Sequence, residues 1–225
     1  MNILAFDCSG ASCSAALWMD GGVRARRFEA MARGQTERLM PMLLEVVAEA
    51  AISFNDIDIF ASTIGPGAFT GLRVGLATLR GLALAVGRPL LGVTSLEAVA
   101  HATTADERRG RTLLVLIESK RDDIYAQAFT EALQPLEGPL ALMPAALAAR
   151  FGGRALLVAG SAAPRALPAL RAAAADLRES STSGLPDAAA VAALAAARSG
   201  EARRTPPAPL YLRSPDVTYP SGRAR

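Results

Sequence analysis

Apolar and polar positions repeat with two different periods along the first half of the chain, and each period predicts a different element. Three short segments with strand-like composition come first, and their close spacing predicts an antiparallel meander: NILAFDC, SCSAALWM and VRARRFEA. A helical period follows in GQTERLMPMLLEVVAEAA, where Leu39, Leu43, Val46 and Ala50 share one face. This meander with a helix after it is the first part of a mixed α/β lobe.

Two more strands and two more helices complete this half. The apolar run IDIFASTIG predicts a buried strand, and a glycine-rich turn leads from it into a helix from about Thr70 to Gly87. PLLGVTS predicts a fifth strand, and SLEAVAHAT predicts a helix after it. The predicted order is therefore βββαβαβ followed by a helix.

A polar and charged segment, TTADERRGR, interrupts the chain at 103–111 and predicts a boundary between lobes. We therefore predict a first lobe over 1–103, a second lobe over 104–205, and a C-terminal strand with a basic tail over 206–225. The second lobe begins with a strand pair, TLLVLIES and DIYAQAFTE. It continues as an alanine-rich region in which RALLVAG is the clearest strand.

Composition narrows the possible functions. Hydrophobic residues make up 51% of the 225 residues, enough for a substantial core, and the net charge of +3 permits contact with RNA without demanding it. Three Tyr and one Trp argue against a base-stacking surface. The first strand contains Asp7 and has no basic leader, and no apolar run reaches membrane-spanning length. We expect a cytoplasmic protein with no membrane segment.

The segment GPGAFTGLRVGLATLRGLALA, at 65–85, could have either of two roles: docking against another helix or binding an anion. On a helix it has one stripe of Gly71, Gly75, Thr78 and Leu82, and small residues also occur among arginines on the opposite side. Because glycine in a helix interior costs about 1 kcal/mol, we expect close packing on both sides. One side would pack within the chain and the other, with the preceding helix, on a partner. The predicted interface consists of Leu39, Met42, Leu43, Val46, Arg73, Ala77, Arg80, Gly81 and Leu84.

The same glycine-rich turn could instead bind an anion through its backbone N–H groups. The residues for a weak anion or nucleotide site are Asp7, Gly65, Gly67 and Thr70. Asp7 could orient a water or Mg²⁺, or it could cap the turn after its strand; the cap is the simpler interpretation. Helix docking is favoured over a phosphate cradle.

The element order and the local motifs resemble known proteins. The βββαβα plan with an acidic residue closing the first strand resembles the actin-like, sugar-kinase and Hsp70-type ATPase (ASKHA) fold, here with two lobes and a reduced second one. ILAFDCS, QTERLMP, the block at 65–85, PLLGVTSLEA and PLYLR resemble, in order and spacing, the TsaB (YeaZ) family. The resemblance covers about residues 1–100 and the tail motif.

This resemblance implies a non-catalytic subunit that binds the catalytic paralogue TsaD, with the ATPase TsaE, and reaches tRNA through the complex. That complex places a threonylcarbamoyl group on N6 of an adenosine in tRNA. Without TsaD, the family member is expected to pair with itself. TsaD carries two metal-binding histidines one helical turn apart, where this sequence has Ser95 and Val99; its single histidine, His101, falls on another face. We therefore predict no catalytic residue, metal site or cofactor.

Two alternatives come from other functional classes. The chain could be an enzyme in its own right, either an actin-fold ATPase or kinase or a metalloprotease-like hydrolase. It could also bind tRNA directly, an interpretation that rests only on its arginines, including those near the C-terminus: Arg203, Arg204, Arg223 and Arg225.

Overall fold

The computed structural model describes residues 1–213, and residues 214–225, including Arg223 and Arg225, lie outside the described part. The strands are β1 Ile3–Asp7, β2 Ser12–Met19, β3 Gly22–Ala30, β4 Ile59–Thr63, β5 Leu90–Val93, β6 Thr112–Glu118, β7 Ile124–Phe129, β8 Leu140–Leu142, β9 Ala155–Ala159 and β10 Asp176–Glu179. The helices are α1 Gln35–Glu49, α2 Phe69–Val86, α3 Ser95–Ala102, α4 Ala105–Arg108, α5 Pro144–Phe151, α6 Ala163–Ala173 and α7 Ala188–Ala197.

The first sheet has the order β3-β2-β1-β4-β5. The meander β1 to β3 is antiparallel, whereas β4 and β5 run parallel to β1. Both parallel strands are reached through a helix, α1 before β4 and α2 before β5. The predicted order of the first half is confirmed.

The second sheet repeats this plan without a repeat in sequence. Its order is β10-β9-β6-β7-β8, and its chain order, β6-β7-β8-α5-β9-α6-β10, is again βββαβαβ. The predicted two-lobe α/β fold is confirmed. The second lobe is reduced at its outer strands: β8 has three residues and β10 has four.

The two sheets and their helices form successive layers. Helices α1 and α2 cover one face of the first sheet, and α5 and α6 cover the outer face of the second. Between the sheets lie α3, which packs on the second sheet, and α7, which packs on the first.

The position of α7 corrects the predicted lobe boundaries. Residues 104–205 do not form one unit, because α7 packs through Ala188, Val191, Ala192 and Ala195 on the first sheet. Asp187 caps this helix by accepting a hydrogen bond from the Ala189 N–H, and it also pairs with Arg26 of β3. The chain therefore returns to the first lobe for its last helix.

The predicted C-terminal strand is also corrected within the described residues. Residues 210–213 form no strand there. Instead the segment 203–213 crosses the first lobe, pairing Arg203 with Leu90 and donating the Leu210 N–H to the Ile64 carbonyl at 2.7 Å. This crossing brings Tyr211 to the beginning of α2.

Helix α2 is long and apolar enough, by length and composition, to match a membrane span. Its packing accounts for that composition, because Leu72, Leu76 and Leu79 are buried against the first sheet. It ends at Gly87, whose φ of 66° is the left-handed conformation common at helix C-termini. The apolar residues that remain exposed on α2 belong to the site.

Candidate docking face and interlobe cleft

The outer side of α2 carries all five residues that the sequence places there. Arg73, Ala77, Arg80, Gly81 and Leu84 are exposed. Leu84 is 84% exposed, which is unusual for a leucine on a long helix. A side chain at Gly81 would meet no atom within 4 Å, so this glycine is not required by packing inside the chain. The surface is apolar, lacks bulk, and is flanked by two arginines.

The prediction that four residues of α1 belong to the interface is wrong. Leu39, Met42, Leu43 and Val46 are 0–1% exposed and form part of the core under the first sheet. An amphipathic helix beside a sheet buries its apolar stripe against that sheet, which leaves the stripe unavailable to a partner. These four residues are not part of a surface.

Helix α1 nevertheless presents a different apolar pair to solvent. Met40 is 39% exposed and Leu44 is 53% exposed, one helical turn apart. Helices α1 and α2 cover the same side of the first sheet and contact each other. We call the combined surface the docking face and define it by Met40, Leu44, Ala77, Gly81 and Leu84.

The inner side of α2 explains the other glycines. A Cβ added at Gly71 would lie 2.0 Å from the Cys8 carbonyl oxygen, and one at Gly75 would lie 3.3 Å from the Cys8 Sγ. The Cys8 thiol donates a hydrogen bond to the Gly71 carbonyl, with 3.2 Å between sulfur and oxygen. These glycines let α2 approach the turn after β1, and the predicted close packing inside the chain is confirmed for them.

The structure brings the residues of the predicted anion site together only in part, because Gly67 and Thr70 line an open cleft beside the turn after β1 whereas Asp7 and Gly65 do not. The Ala68 N–H donates to the Ser9 carbonyl at 2.7 Å, and a Cβ at Gly67 would lie 2.4 Å from that oxygen. Asp7 and Gly65 are buried, whereas Thr70 is exposed. The four residues therefore do not form a single site, and Gly67 and Thr70 are the two that line open space.

Asp7 caps this turn, as the simpler interpretation of the sequence expects. Its Oδ1 accepts hydrogen bonds from the Ser9 N–H, at 3.1 Å, and from the hydroxyls of Ser9 and Thr63. Its Oδ2 is buried without a hydrogen-bond partner among the described residues. Burial raises the pKa of Asp7 to about 6, although the hydrogen bonds from Ser9 and Thr63 oppose the shift.

The raised pKa predicts how Asp7→Asn affects stability. The folded chain binds the Asp7 proton more tightly than the unfolded chain, whose pKa is near 3.8, so this stabilisation is complete below about pH 4 and is lost as pH rises through 6. Relative to the wild type, Asp7→Asn should therefore gain up to about 3 kcal/mol in free energy of unfolding between pH 4 and pH 7.5. Urea titrations of both proteins across this range measure the gain; a constant difference, or one of opposite slope, contradicts the shift.

A cleft of about 860 Å³ lies between the lobes. The turn after β1, the loop 32–37 and residues 67–71 form its first-lobe side, and Glu118, Ser119 and Lys120 form part of its second-lobe side. Glu118 is paired with Arg165. The sequence predicted Gly67 and Thr70 as possible ligand-binding residues but not the cleft that contains them, because its other residues come from distant segments that only the folded chain brings together.

Metal ligands do not cluster in the part of the chain that the structure describes: over residues 1–213, no three His, Cys, Asp or Glu side chains come together in a way that could hold a metal. Ser95 and Val99 are fully buried, and the Ser95 hydroxyl lies 3.0 Å from that of Ser9. Burial raises the pKa of the Cys13 thiol to about 12 and that of Cys8 further still. Both thiols are therefore protonated and poor nucleophiles near neutral pH.

The chain is similar in sequence to proteins of tRNA threonylcarbamoyladenosine biosynthesis. The family model described as "tRNA N6-adenosine threonylcarbamoyltransferase" (TsaD) matches residues 23–203. The Escherichia coli K12 tRNA threonylcarbamoyladenosine biosynthesis protein TsaB is 38% identical over 126 residues, which are 56% of this chain and 53% of that protein. The aligned part thus spans about half of the length of that relative.

Solved structures agree with the fold. YeaZ from Pseudomonas aeruginosa superposes with a TM-score of 0.80 at 27% identity, covering 94% of this chain and 99% of that one. The ROK hexokinase from Thermus thermophilus superposes with a TM-score of 0.52 at 14% identity, covering 89% of this chain and all of that one, which supports the actin-like fold alone. The extent of the family-model match and the similarity to TsaB and YeaZ lead to one conclusion: the chain belongs to the TsaB (YeaZ) family.

Proposed function

We propose that this chain is a non-catalytic subunit in the biosynthesis of threonylcarbamoyladenosine in tRNA, and that it binds the paralogue TsaD through the docking face. In the complete assembly it works with TsaD and TsaE in the cytoplasm, and it reaches tRNA through that assembly. In the absence of TsaD, two copies pair through the same face. The observation that carries the proposal is the exposed apolar surface on α1 and α2.

The docking face has the composition of a protein–protein contact. Leu44 and Leu84 expose apolar side chains whose burial is worth about 1.5–3 kcal/mol each. Ala77 and Gly81 allow another helix to approach closely, because neither adds bulk between the backbones. Arg73 and Arg80 lie beside this centre, which suits the enrichment of arginine at interfaces.

The chemistry of the described residues supports a subunit without its own active site. A metalloprotease-like hydrolase would need ligands at positions occupied by the buried Ser95 and Val99. An actin-fold ATPase or kinase would bind phosphate near the turn after β1; the cleft is open there, but the Ala68 N–H that could donate to a phosphate already donates to the Ser9 carbonyl. The likeness to a hexokinase supports the fold alone.

Reconstitution tests this proposal. We expect elemental analysis of the chain, purified without an affinity tag, to find no stoichiometric zinc or iron. We expect the same protein to turn over ATP far more slowly than about 1 per second. We expect TsaD and TsaE, supplied with an activated threonylcarbamoyl donor, to modify tRNA only when the chain is added. The Leu136→Ala variant, altered at an exposed second-lobe leucine, is the matched control and should support modification fully.

Either of two results contradicts the proposal. One is ATP turnover at enzyme-like rates by the chain alone. The other is full modification by TsaD and TsaE without the chain.

A further inference from the structure

A second cavity, of about 480 Å³, lies at the beginning of α2; none of the five residues that define the docking face line it, although Arg73 borders both. Three segments that are distant in sequence form it: 66–73 of the first lobe, the β6–β7 turn with Tyr125, and the crossing segment 210–213. Two of the three tyrosines of the chain line it, together with Phe69. The fold therefore brings together aromatic residues that composition alone did not group.

The aromatic rings of this cavity are open to solvent. Phe69 is 53% exposed and Tyr211 is 45% exposed, although both are large and apolar. Their ring centroids lie 5.8 Å apart with the planes tilted by 32°. Two neighbouring rings exposed to this degree leave an aromatic face available to a flat ligand.

Positive charge surrounds the rings. The Arg73 guanidinium lies over the Phe69 ring, 3.6 Å from its centroid, and forms no ion pair with any carboxylate within residues 1–213. Arg121 and Arg213 also line the cavity. Arg213 pairs with Asp123, whose Oδ1 also accepts a hydrogen bond from the Ser119 hydroxyl. Arg213 thus neutralises Asp123, and the guanidinium of Arg73 is the positive charge that the cavity offers to a ligand.

From these features we infer that the cavity binds an aromatic base carrying a phosphate, supplied either by a free nucleotide or by an unpaired nucleotide of RNA. Unpaired bases stack on aromatic rings and on the planes of arginine guanidinium groups, and arginine pairs with phosphate. Tyr211 provides the stacking face, and the guanidinium of Arg73 pairs with the phosphate. The cavity volume suits one such unit.

The test measures binding of three probes to the full chain: 5′-AMP, ribose 5-phosphate and a short unstructured oligoadenylate. Loss of one aromatic stacking contact weakens binding by about 10-fold or more, so Tyr211→Ala should reduce the affinity for every probe that contains a base by that factor. Tyr211→Phe keeps the ring and should bind like the wild type.

Arg73→Gln should make oligoadenylate binding less sensitive to salt, lowering the slope of log K against log salt by roughly 0.7. Arg154→Gln is the matched control, because Arg154 lies 5.9 Å from the ring of the buried Phe151, outside the cavity. It should leave both the affinity and the slope unchanged.

The outcomes distinguish the sources of the ligand. Tighter binding of oligoadenylate than of 5′-AMP identifies RNA, and binding of 5′-AMP alone identifies a free nucleotide. Ribose 5-phosphate binding as tightly as 5′-AMP, binding that Tyr211→Ala leaves unchanged, or no binding of any probe overturns the inference. The docking proposal is tested by a separate measurement, the binding of the wild-type chain and of Tyr211→Ala to TsaD.

Discussion

In the Leu43→Glu variant we expect no cooperative unfolding transition, whereas Leu44→Glu should fold and fail to assemble with TsaD. The two leucines are adjacent on α1, but Leu43 is fully buried and Leu44 is 53% exposed. An unpaired carboxylate in the core under the first sheet would cost several kcal/mol in addition to the lost packing, out of a typical stability of about 5–15 kcal/mol. At position 44 the same carboxylate remains in solvent until a partner covers it.

The alanine variants provide a milder version of this comparison. Leu43→Ala should lower the free energy of unfolding by about 2–5 kcal/mol, and Leu44→Ala should change it by no more than about 0.5 kcal/mol. Urea titration measures both values, and co-purification with TsaD measures assembly. An unfolded Leu44→Glu, or a Leu44→Glu that still binds TsaD like the wild type, contradicts the assigned face.

Ala77→Glu should weaken binding to TsaD by roughly 10- to 100-fold while leaving the fold intact. Ala77 is exposed near the middle of α2, so its carboxylate is solvated in the isolated chain. In the complex the charge would be buried in a close contact, where an unpaired ion costs several kcal/mol and each 1.4 kcal/mol is a factor of ten. Arg73 and Arg80, one helical turn away on either side, offset part of this cost.

Circular dichroism, light scattering and the tRNA modification assay together check this result. Ala149→Glu is the matched control, because it places the same charge on an exposed alanine of α5 in the second lobe. Ala149→Glu should keep assembly and modification, and Ala77→Glu should lose both along with the homodimer. If Ala77→Glu stays dimeric and active, the partner binds elsewhere.

Hydrophobic periodicity was sufficient to predict the elements of the first lobe but not the partner of each face. The pattern on α1 correctly placed Leu39, Leu43 and Val46 on one face. A periodic apolar face shows that the face is buried without showing against what, and here the first sheet covers it. The informative residues were Met40 and Leu44, which break the amphipathic pattern by being apolar on the solvent side.

The lobe boundary could not be predicted because α7 has almost no polar side. Its sequence, AAAVAALAAA, is apolar all round, which fits a helix buried between two layers and gives no direction to its packing. The cap at Asp187 was visible in sequence, but its pairing with Arg26 of the first lobe was not. The polar composition of 103–111 predicted the boundary there, but α7, which comes later in the chain, packs on the first sheet.

Contacts between turns were also beyond sequence reasoning. The glycine-rich turn at 65–68 has the composition of a phosphate loop, yet its Gly67 also serves packing, because a Cβ there would lie 2.4 Å from the Ser9 carbonyl oxygen. The cavity that contains Phe69, Tyr125 and Tyr211 was missed for the same reason, because its rings come from three separate segments. Local patterns predicted local structure, and the folded chain decided which segments meet.

Photo-crosslinking from the docking face tests the central claim most directly. A photoreactive amino acid replaces Leu84 in one protein and, as a control of similar character, Leu136 in another; both positions are exposed leucines. Each protein is mixed with TsaD and irradiated, and the crosslinked peptides are identified by mass spectrometry. We predict efficient crosslinks to TsaD from position 84 and none from position 136. Crosslinks from position 136 alone, or equal yields from both, would contradict docking through α1 and α2.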